Sequence, residues 1–296
     1  MKYTGVTYRP PFEAHSLLLQ VTRGCSHNKC TFCTMYRDVP FGTESEDQIR
    51  KDLMEARAFA PDTERVFLEN GDAFCLSADR LKRIVEMIRL YLPKVKTIAM
   101  YASINNIKGK SDGELEDLRK MGINDLNIGV ESGYDPALKY MNKGFDAAQA
   151  EHELMRLKAA GIFYGANIIF GVAGAGKEEE NAEATARLLN ATEPYLIFTG
   201  TIHTEPGCPL YDHIKAGTFK EGTLGQYLYE EELLLSKLEL SDCYYFGLHP
   251  SNVVRMHGYL PEDKDRLLET LVMRRNQLAD RLDLIPDRFG EGGIII

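Results

Sequence analysis

The 296-residue chain carries 44 acidic and 35 basic side chains, which gives a formal net charge of −9. This acidic balance argues against the broad positive surface that nucleic-acid phosphates require. No apolar run reaches the roughly 18 residues of a membrane span, and the N-terminus lacks the apolar stretch of a signal peptide. Three of the six cysteines are scattered rather than paired in a framework: Cys75, Cys208 and Cys243. Together with three clustered cysteines, this usage favours a reducing cytoplasm and a metal site.

Apolar strands alternate with amphipathic helices along most of the chain. Strands are predicted at 16–21, 65–69, 97–102, 126–131, 164–172 and 196–201, and helices at 46–60, 78–91, 112–121, 147–160 and 178–190. Ser45, Ser111 and Asp146 are predicted N-caps, and Gly122 and Gly161 are predicted helix ends. Six β-α units with short connections predict a parallel sheet that is closed, or nearly closed, into a barrel. An open doubly wound sheet has the same alternation.

The pattern changes after the sixth strand. Residues 206–225 are rich in turns, a charged helix is predicted near 226–238, a loop at 241–261, and a last helix near 262–282. We therefore interpret residues 1–209 as a core barrel and residues 210–296 as a mainly helical extension packed on the barrel.

Three cysteines follow the first predicted strand with the spacing C-x4-C-x2-C. They are Cys25, Cys30 and Cys33, and Phe32 precedes the last of them. Three thiolates this close can hold three irons of a four-iron cluster and leave the fourth iron open to a ligand. The alternative is structural zinc, which needs four closed ligands. His27 is too near in sequence to join easily, and no second C-x2-C completes the set.

Polar or glycine-rich residues follow every predicted strand, at the end where parallel α/β folds gather their chemistry. They are Glu69 to Asp72 after strand two, Ser103, Asn105 and Asn106 after strand three, Glu131 to Gly133 after strand four, Gly171 to Gly176 after strand five, and Thr199 to Thr201 with His203 and Glu205 after strand six. A barrel with a purely structural role would need few of them.

These features together resemble the radical S-adenosylmethionine (radical SAM) enzymes. The resemblance rests on the cysteine loop, the Asn70-Gly71-Asp72 turn, residues 128–133 with Leu138 and Met141 to Gly144 after them, and the glycine stretch 171–176. The stretch after strand four is similar to the branch that contains oxygen-independent coproporphyrinogen oxidases and methylthiotransferases. The resemblance implies a partial (β/α)6 TIM-like barrel, a 4Fe–4S cluster on the three cysteines, and S-adenosylmethionine bound at the open iron. Reductive cleavage of that cofactor would give a 5′-deoxyadenosyl radical.

The sequence departs from the family pattern at two places. The first cysteine gap holds four residues instead of the usual three, which we interpret as slack in the loop. Asn70-Gly71-Asp72 stands where the family has Gly-Gly-Glu. Gly71 would still let the backbone approach a ligand, and Asp72 could accept from an ammonium.

The resemblance also implies cofactor contacts, each with a plainer reading. Asn70, Gly71 and Asp72 could simply form a strand-to-helix turn, and Glu131 could be a solvated strand end rather than a ribose contact beside Ser132. Phe32 would lie beside the adenine or shield the cluster from water. The remaining candidates for the cofactor are Asn167 and Gly171.

The sequence assigns no catalytic residue, and it leaves five candidates for the substrate side: Tyr101, His203, His249, Arg255 and His257. Loop histidines are more often packing or surface residues than functional ones. No second cysteine set or preceding cobalamin domain is present, so we expect a small-molecule substrate. A flavodoxin or ferredoxin would deliver the electron. The rival interpretation is a non-enzymatic zinc- or iron–sulfur-binding scaffold or sensor.

Overall fold

The computed structural model describes residues 1–285. Its main sheet has eight strands, in the order β1-β4-β5-β6-β7-β8-β9-β10, and a two-stranded sheet pairs β2 with β3. The strands are β1 (Leu17–Gln20), β2 (Thr22–Arg23), β3 (Gly42–Thr43), β4 (Arg65–Glu69), β5 (Thr97–Ala102), β6 (Ile123–Glu131), β7 (Phe163–Phe170), β8 (Leu196–Thr201), β9 (Cys243–Phe246) and β10 (His257–Leu260). The pairing is mostly parallel, and β10 runs antiparallel to β9. The predicted α/β class is confirmed.

Helices alternate with these strands. They are α1 (Glu46–Phe59), α2 (Ala78–Tyr91), α3 (Ile104–Lys108), α4 (Asp112–Lys120), α5 (Asp135–Tyr140), α6 (Ala147–Ala160), α7 (Glu178–Thr192), α8 (Pro209–Lys215), α9 (Leu224–Lys237) and α10 (Lys264–Gln277), with 3-10 turns at Pro11–Glu13, Ala73–Cys75 and Ala279–Arg281. The predicted caps are present: the side chains of Ser45, Ser111 and Asp146 accept backbone N–H groups of the first turns of α1, α4 and α6. Within residues 1–285, no helix is both long and apolar enough to cross a membrane.

The chain divides into two compact units. Of the described residues, unit 1 comprises 1–28, 35–129 and 153–164, and unit 2 comprises 29–34, 130–152 and 165–285. In unit 1, β1, β4, β5 and β6 pair in parallel. Helices α1, α2 and α4 each bury one apolar face, as the spacing of Ile49 with Leu53, Leu81 with Ile84, and Leu115 with Leu118 predicts.

In unit 2, β7, β8 and β9 pair in parallel and β10 completes the edge. Helix α9 packs against α7 and α10, and its buried leucines include Leu234 and Leu235. The predicted boundary between a core (1–209) and an extension (210–296) stays a prediction, and residues 286–296 of that extension lie outside the described part.

The predicted loop at 241–261 is wrong in part, because it contains β9 and β10. Cys243 and Tyr245 are buried while Tyr244 and Phe246 are half-buried, which is the alternation of a strand. Three short helices were also absent from the prediction: α3, α5 and α8. Each has seven residues or fewer, too short to show a helical period.

Candidate cofactor and substrate site

The three cysteines of the loop are partly exposed, and none of them is in a disulfide within the described residues. In unit 1, the backbone N–H of Asn28 points at Cys25 Sγ, with 3.5 Å between nitrogen and sulfur. In unit 2, the Cys33 N–H donates to the Cys30 carbonyl oxygen at 3.4 Å. Among the described residues, no group of three or more His, Cys, Asp or Glu side chains is arranged to hold a metal ion. The assignment of the cysteines as cluster ligands therefore stays a prediction.

The loop segment 29–34 is held in place by backbone contacts within unit 2. Thr31 donates its N–H to the Met141 carbonyl at 3.1 Å and accepts from Leu210 N at 3.0 Å. Asn142 Nδ2 donates to the Lys29 carbonyl at 2.9 Å. The residues after β6 and the start of α8 thus fix the backbone that carries Cys30 and Cys33.

The turn after β4 leaves no space for a side chain. Gly71 has a positive φ of +37°, and a Cβ added there would lie 2.0 Å from the Gly24 carbonyl oxygen and 2.7 Å from Cys25 Cα. Its N–H donates to the Tyr36 hydroxyl at 3.0 Å, and that hydroxyl in turn donates to Asn70 Oδ1 at 3.3 Å. The turn is therefore pressed against the backbone of the first motif cysteine, which only glycine permits.

Asp72 continues this turn as a buried carboxylate. It accepts the Ser26 N–H at 2.9 Å and also the Ser26 hydroxyl, and Asn106 Nδ2 lies 3.5 Å away. Burial raises the pKa of Asp72, and the hydrogen bonds from Ser26 and Asn106 oppose that rise. The structure thus links the turn after β4 to the cysteine loop through Ser26, the residue next to Cys25.

The end of β6 carries a buried ion pair. Glu131, at a positive φ of 67°, accepts a hydrogen bond from Lys143 Nζ at 2.9 Å, and both side chains are about one-tenth exposed or less. Burial alone would lower the pKa of Lys143, but the negative charges of the Glu131 carboxylate and of ionised Cys30 and Cys33 outweigh it and raise this pKa. An ammonium ion beside two cysteines favours their deprotonated form or another anionic group bound there.

A hydrogen-bond chain connects the ends of β6 and β7 in unit 2. The Ser132 hydroxyl donates to Asn181 Oδ1, and Asn181 Nδ2 donates to Glu230 Oε1. Glu230 Oε2 also accepts the Gly171 N–H at 2.9 Å. A Cβ on Gly171 would lie 2.4 Å from the Tyr227 ring. Helix α9, which carries Glu230 and Tyr227, therefore positions two of the predicted cofactor residues.

Two further cofactor candidates are placed less tightly. Phe32 packs against the buried cluster that includes Ala137 and Met141, and Lys143 Nζ lies 6.0 Å from its ring centroid. Asn167 is half-buried on β7, where it pairs with Phe198. The position of Phe32 fits either of its two predicted roles.

The substrate candidates of unit 2 do not all come together. His203 lies 3.4 Å from Glu205, which accepts from the Thr34 hydroxyl at 3.2 Å. The pKa of His249 is lowered to about 4 by burial and by the charges of Arg255 and His203. His257 lies at the start of β10 instead, with its Nδ1 2.7 Å from the Tyr244 hydroxyl.

Tyr101, the substrate candidate of unit 1, lies on β5 with its ring edge-on to Phe67. The sequence interpretation missed Tyr36, Lys143, Asn181 and Glu230 as residues of the site. Lys143 belongs to the stretch on which the family resemblance rests, so that stretch was the available signal for it. The other three are recognised only from tertiary contacts.

The comparison with protein families gives one model that matches, the radical SAM superfamily, over residues 19–189. Heme chaperone HemW of Bacillus subtilis (strain 168) is 25% identical over 186 residues, which cover 62% of this chain and 48% of HemW. The chain thus aligns with about half the length of that curated relative.

Solved structures with a similar fold include three proteins. One is the radical S-adenosylmethionine methyltransferase TsrM from Kitasatospora setae, with tryptophan substrate and a SAM analogue bound. Its TM-score is 0.55 at 17% identity, and the alignment covers 68% of this chain and 39% of the TsrM chain. Methylornithine synthase (PylB) has a TM-score of 0.52 at 15% identity, covering 89% and 81%. Elp3 of the archaeon Methanocaldococcus infernus has a TM-score of 0.51 at 14% identity, covering 90% and 64%. At these identities the likeness shows the fold, which confirms the predicted TIM-like partial barrel.

Proposed function

Because this chain belongs to the radical SAM superfamily, we propose that it is an enzyme that cleaves S-adenosylmethionine reductively and acts on a small molecule. The predicted resemblance to the radical SAM superfamily is confirmed by the family match over residues 19–189. A 4Fe–4S cluster held by Cys25, Cys30 and Cys33 would supply the electron for reductive cleavage of S-adenosylmethionine to methionine and a 5′-deoxyadenosyl radical, which would abstract a hydrogen atom from the substrate.

Cys25, Cys30 and Cys33 would hold the cluster. Their chemistry fits, since all three are partly exposed cysteines outside any disulfide, and thiolates are the ligands of such clusters. The observation that carries the proposal is the place of the Lys143–Glu131 pair, whose ammonium is close enough to Cys30 and Cys33 for their charges to act on it. A fixed cation there would stabilise an anionic cluster and shift its reduction potential.

The strand ends would hold S-adenosylmethionine. Gly71 allows close approach of a backbone, and Asp72 offers a buried carboxylate to the ammonium group of the cofactor. Glu131 and Ser132 would meet the ribose, and Gly171 with Asn167 would line the adenine. Phe32 would cover the cluster or the adenine from one side.

We also propose the compartment, the electron donor and the substrate side of this enzyme. The net charge of −9 and the cysteine usage support a cytoplasmic enzyme without a nucleic-acid partner. Electrons would come from a flavodoxin or ferredoxin. His203, His249 and Arg255, which interact in unit 2, would lie on the substrate side.

Oxygen-free reconstitution with iron and sulfide tests the cluster. We expect about four irons per chain and a brown protein that absorbs in the thiolate-to-iron region. The Cys30→Ala variant should lose this absorbance. Cys243→Ala is the matched control, because it removes a thiol that is buried in β9 and outside the motif.

A different metal content would contradict the proposal. A colourless protein that retains zinc through reconstitution, with the same metal content in Cys30→Ala and Cys243→Ala, would favour the scaffold or sensor interpretation instead.

A further inference from the structure

One face of the unit 1 sheet carries polar side chains at two levels along the strands: a lower level with Arg65 and Asp125, and an upper level with Glu69 and Asn127. Arg65, Phe67 and Glu69 alternate along β4 on this face, and the Phe67 ring meets the Tyr101 ring at 5.3 Å. Tyr101 pairs in register with Asn127 of β6, and Asp125 lies two residues earlier on the same face. Glu69, Tyr101 and Asn127 thus lie on three adjacent strands, at the level where β4 and β5 reach the carboxyl ends at which chemistry gathers in parallel sheets.

The lower level of this face is satisfied internally. The Arg65 guanidinium donates to the carboxylates of Glu13 and Asp125. Glu13 is fully buried, and it also accepts from the Ser16 hydroxyl. Each buried charge at this level has a partner, as the cost of burying ions requires.

The polar side chains at the upper level lack hydrogen-bond partners. Glu69 is 0% exposed and Asn127 is 1% exposed. Within the described residues, neither carboxylate oxygen of Glu69 and neither amide atom of Asn127 has a hydrogen-bond partner. Four polar atoms in two buried side chains of one face are therefore left without the bonds that native structures almost always provide.

The charges around Glu69 do not neutralise it. Burial raises the pKa of Glu69 to about 7. The Thr7 hydroxyl, which approaches the carboxylate without completing a hydrogen bond, and the positive charge of Arg9 offset this rise only in part. The other titratable groups that face it are phenols with raised pKa values: Tyr3, Tyr36 and Tyr101. These stay neutral at physiological pH, so none of them supplies a counter-ion.

We propose that Glu69 and Asn127 bind the substrate, and that the substrate is a small molecule with a primary amine. Its ammonium group would donate to Glu69, and Asn127 would bond a neighbouring polar group of the same molecule. Unmet bonds of this kind are retained where a ligand supplies them, because they make the empty site selective. The assignment of the ligand as substrate rests on the proposed function, whereas binding of an amine does not.

Binding of n-butylammonium to the reconstituted protein, measured by ligand-observed NMR, tests this inference. We expect n-butylammonium to bind wild type, and to bind the Glu69→Gln and Asn127→Ala variants at least tenfold more weakly. The neutral probe 1-butanol should not bind at this site. Affinity should rise about tenfold from pH 6 to pH 8, because Glu69 ionises over that range while the amine stays charged.

Glu231→Gln is the matched control. Glu231 is also buried with a pKa of about 7, but its carboxylate accepts the Tyr245 hydroxyl at 2.6 Å. This variant should bind n-butylammonium as wild type does. Glu69→Gln should unfold at the same urea concentration as wild type or a higher one at pH 8, so a loss of binding in it would not reflect misfolding.

The inference is overturned if n-butylammonium does not bind wild type, or if Glu69→Gln and Asn127→Ala bind it as tightly as wild type. Failure of the proposed function has a different signature. It would appear as intact amine binding in a protein that forms no 5′-deoxyadenosine.

Discussion

At the scale of single residues, the Lys143–Glu131 pair is the most consequential contact of unit 2. The two charges are 2.9 Å apart, and their side chains are 8% and 10% exposed. Phe32 and Phe145 lie about 6 Å from the ammonium. In such surroundings each charge depends on the other, because water solvates neither of them.

Replacing Lys143 by methionine should leave Glu131 buried and uncompensated. Breaking a buried pair costs about 3–5 kcal/mol, so we expect a loss of that order in the free energy of unfolding, measured by urea denaturation. The double variant Lys143→Met/Glu131→Gln should recover most of it.

Lys177→Met provides the comparison. Lys177 pairs with Glu180 at 2.7 Å on the surface, where both side chains are about half exposed. Exposed pairs contribute about 0–1 kcal/mol. If Lys143→Met proves no more destabilising than Lys177→Met, the pair does not have the role given to it here.

At the scale of elements, the turn after β4 is the tightest contact with the cysteine loop. Gly71→Ala would place a methyl group 2.0 Å from a backbone oxygen of residue 24. We expect this variant to lose several kcal/mol of unfolding free energy, or to fail to fold, because backbone rather than a flexible side chain must move.

Gly176→Ala separates this clash from backbone strain. Gly176 also has a positive φ, of +82°, but no atom lies within 4 Å of an added Cβ. Its cost should be near 1 kcal/mol, from the left-handed conformation alone. Equal urea midpoints for the two variants would contradict the packing of the turn against the loop.

Helix α9 carries two buried carboxyl groups whose pKa values burial raises, Glu230 to about 8 and Glu231 to about 7. Unfolded, both would titrate near the ordinary value of about 4.3. A folded pKa above the unfolded one means that the folded state holds the proton more tightly, so these groups reduce stability as pH rises from about 4 to about 8.

The Glu231→Gln variant should therefore be less sensitive to pH than wild type. Its amide oxygen can still accept from the Tyr245 hydroxyl, and it has no proton to lose. The free energy of unfolding, measured at pH 5.5, 7 and 8.5, should fall less steeply in this variant. A slope identical to that of wild type would show that Glu231 does not titrate in this range.

At the scale of the whole molecule, the repeating β-α units were predictable and the edge of the sheet was not. The strands at Arg65–Glu69, Thr97–Ala102 and Leu196–Thr201 begin and end where the sequence predicts, because buried parallel strands are continuous apolar runs between clear breaks. Strand β10 alternates exposed and buried residues over only four positions beside a proline, and its sequence, His-Gly-Tyr-Leu, shows no alternation of polar and apolar side chains. Such a segment is indistinguishable from a loop until its partner is known.

Part of the candidate site was likewise predictable from the sequence, and part was not. Motif spacing and position after a strand pointed to Cys25, Gly71 and Glu131, because these signals are local in sequence. The partners of these residues come from distant segments, as Lys143 does for Glu131 and Glu230 does for Gly171. Which buried polar atoms lack a partner depends on the complete packing, so Glu69 and Asn127 gave no signal in the sequence as a pair.

The most direct test of the account is the formation of 5′-deoxyadenosine by the reconstituted protein, with S-adenosylmethionine and dithionite, under oxygen-free conditions. We expect the product to accumulate with wild type and with Cys243→Ala, and to be absent with Cys30→Ala. If wild-type protein carries about four irons per chain and still forms no 5′-deoxyadenosine, radical chemistry at this site is contradicted.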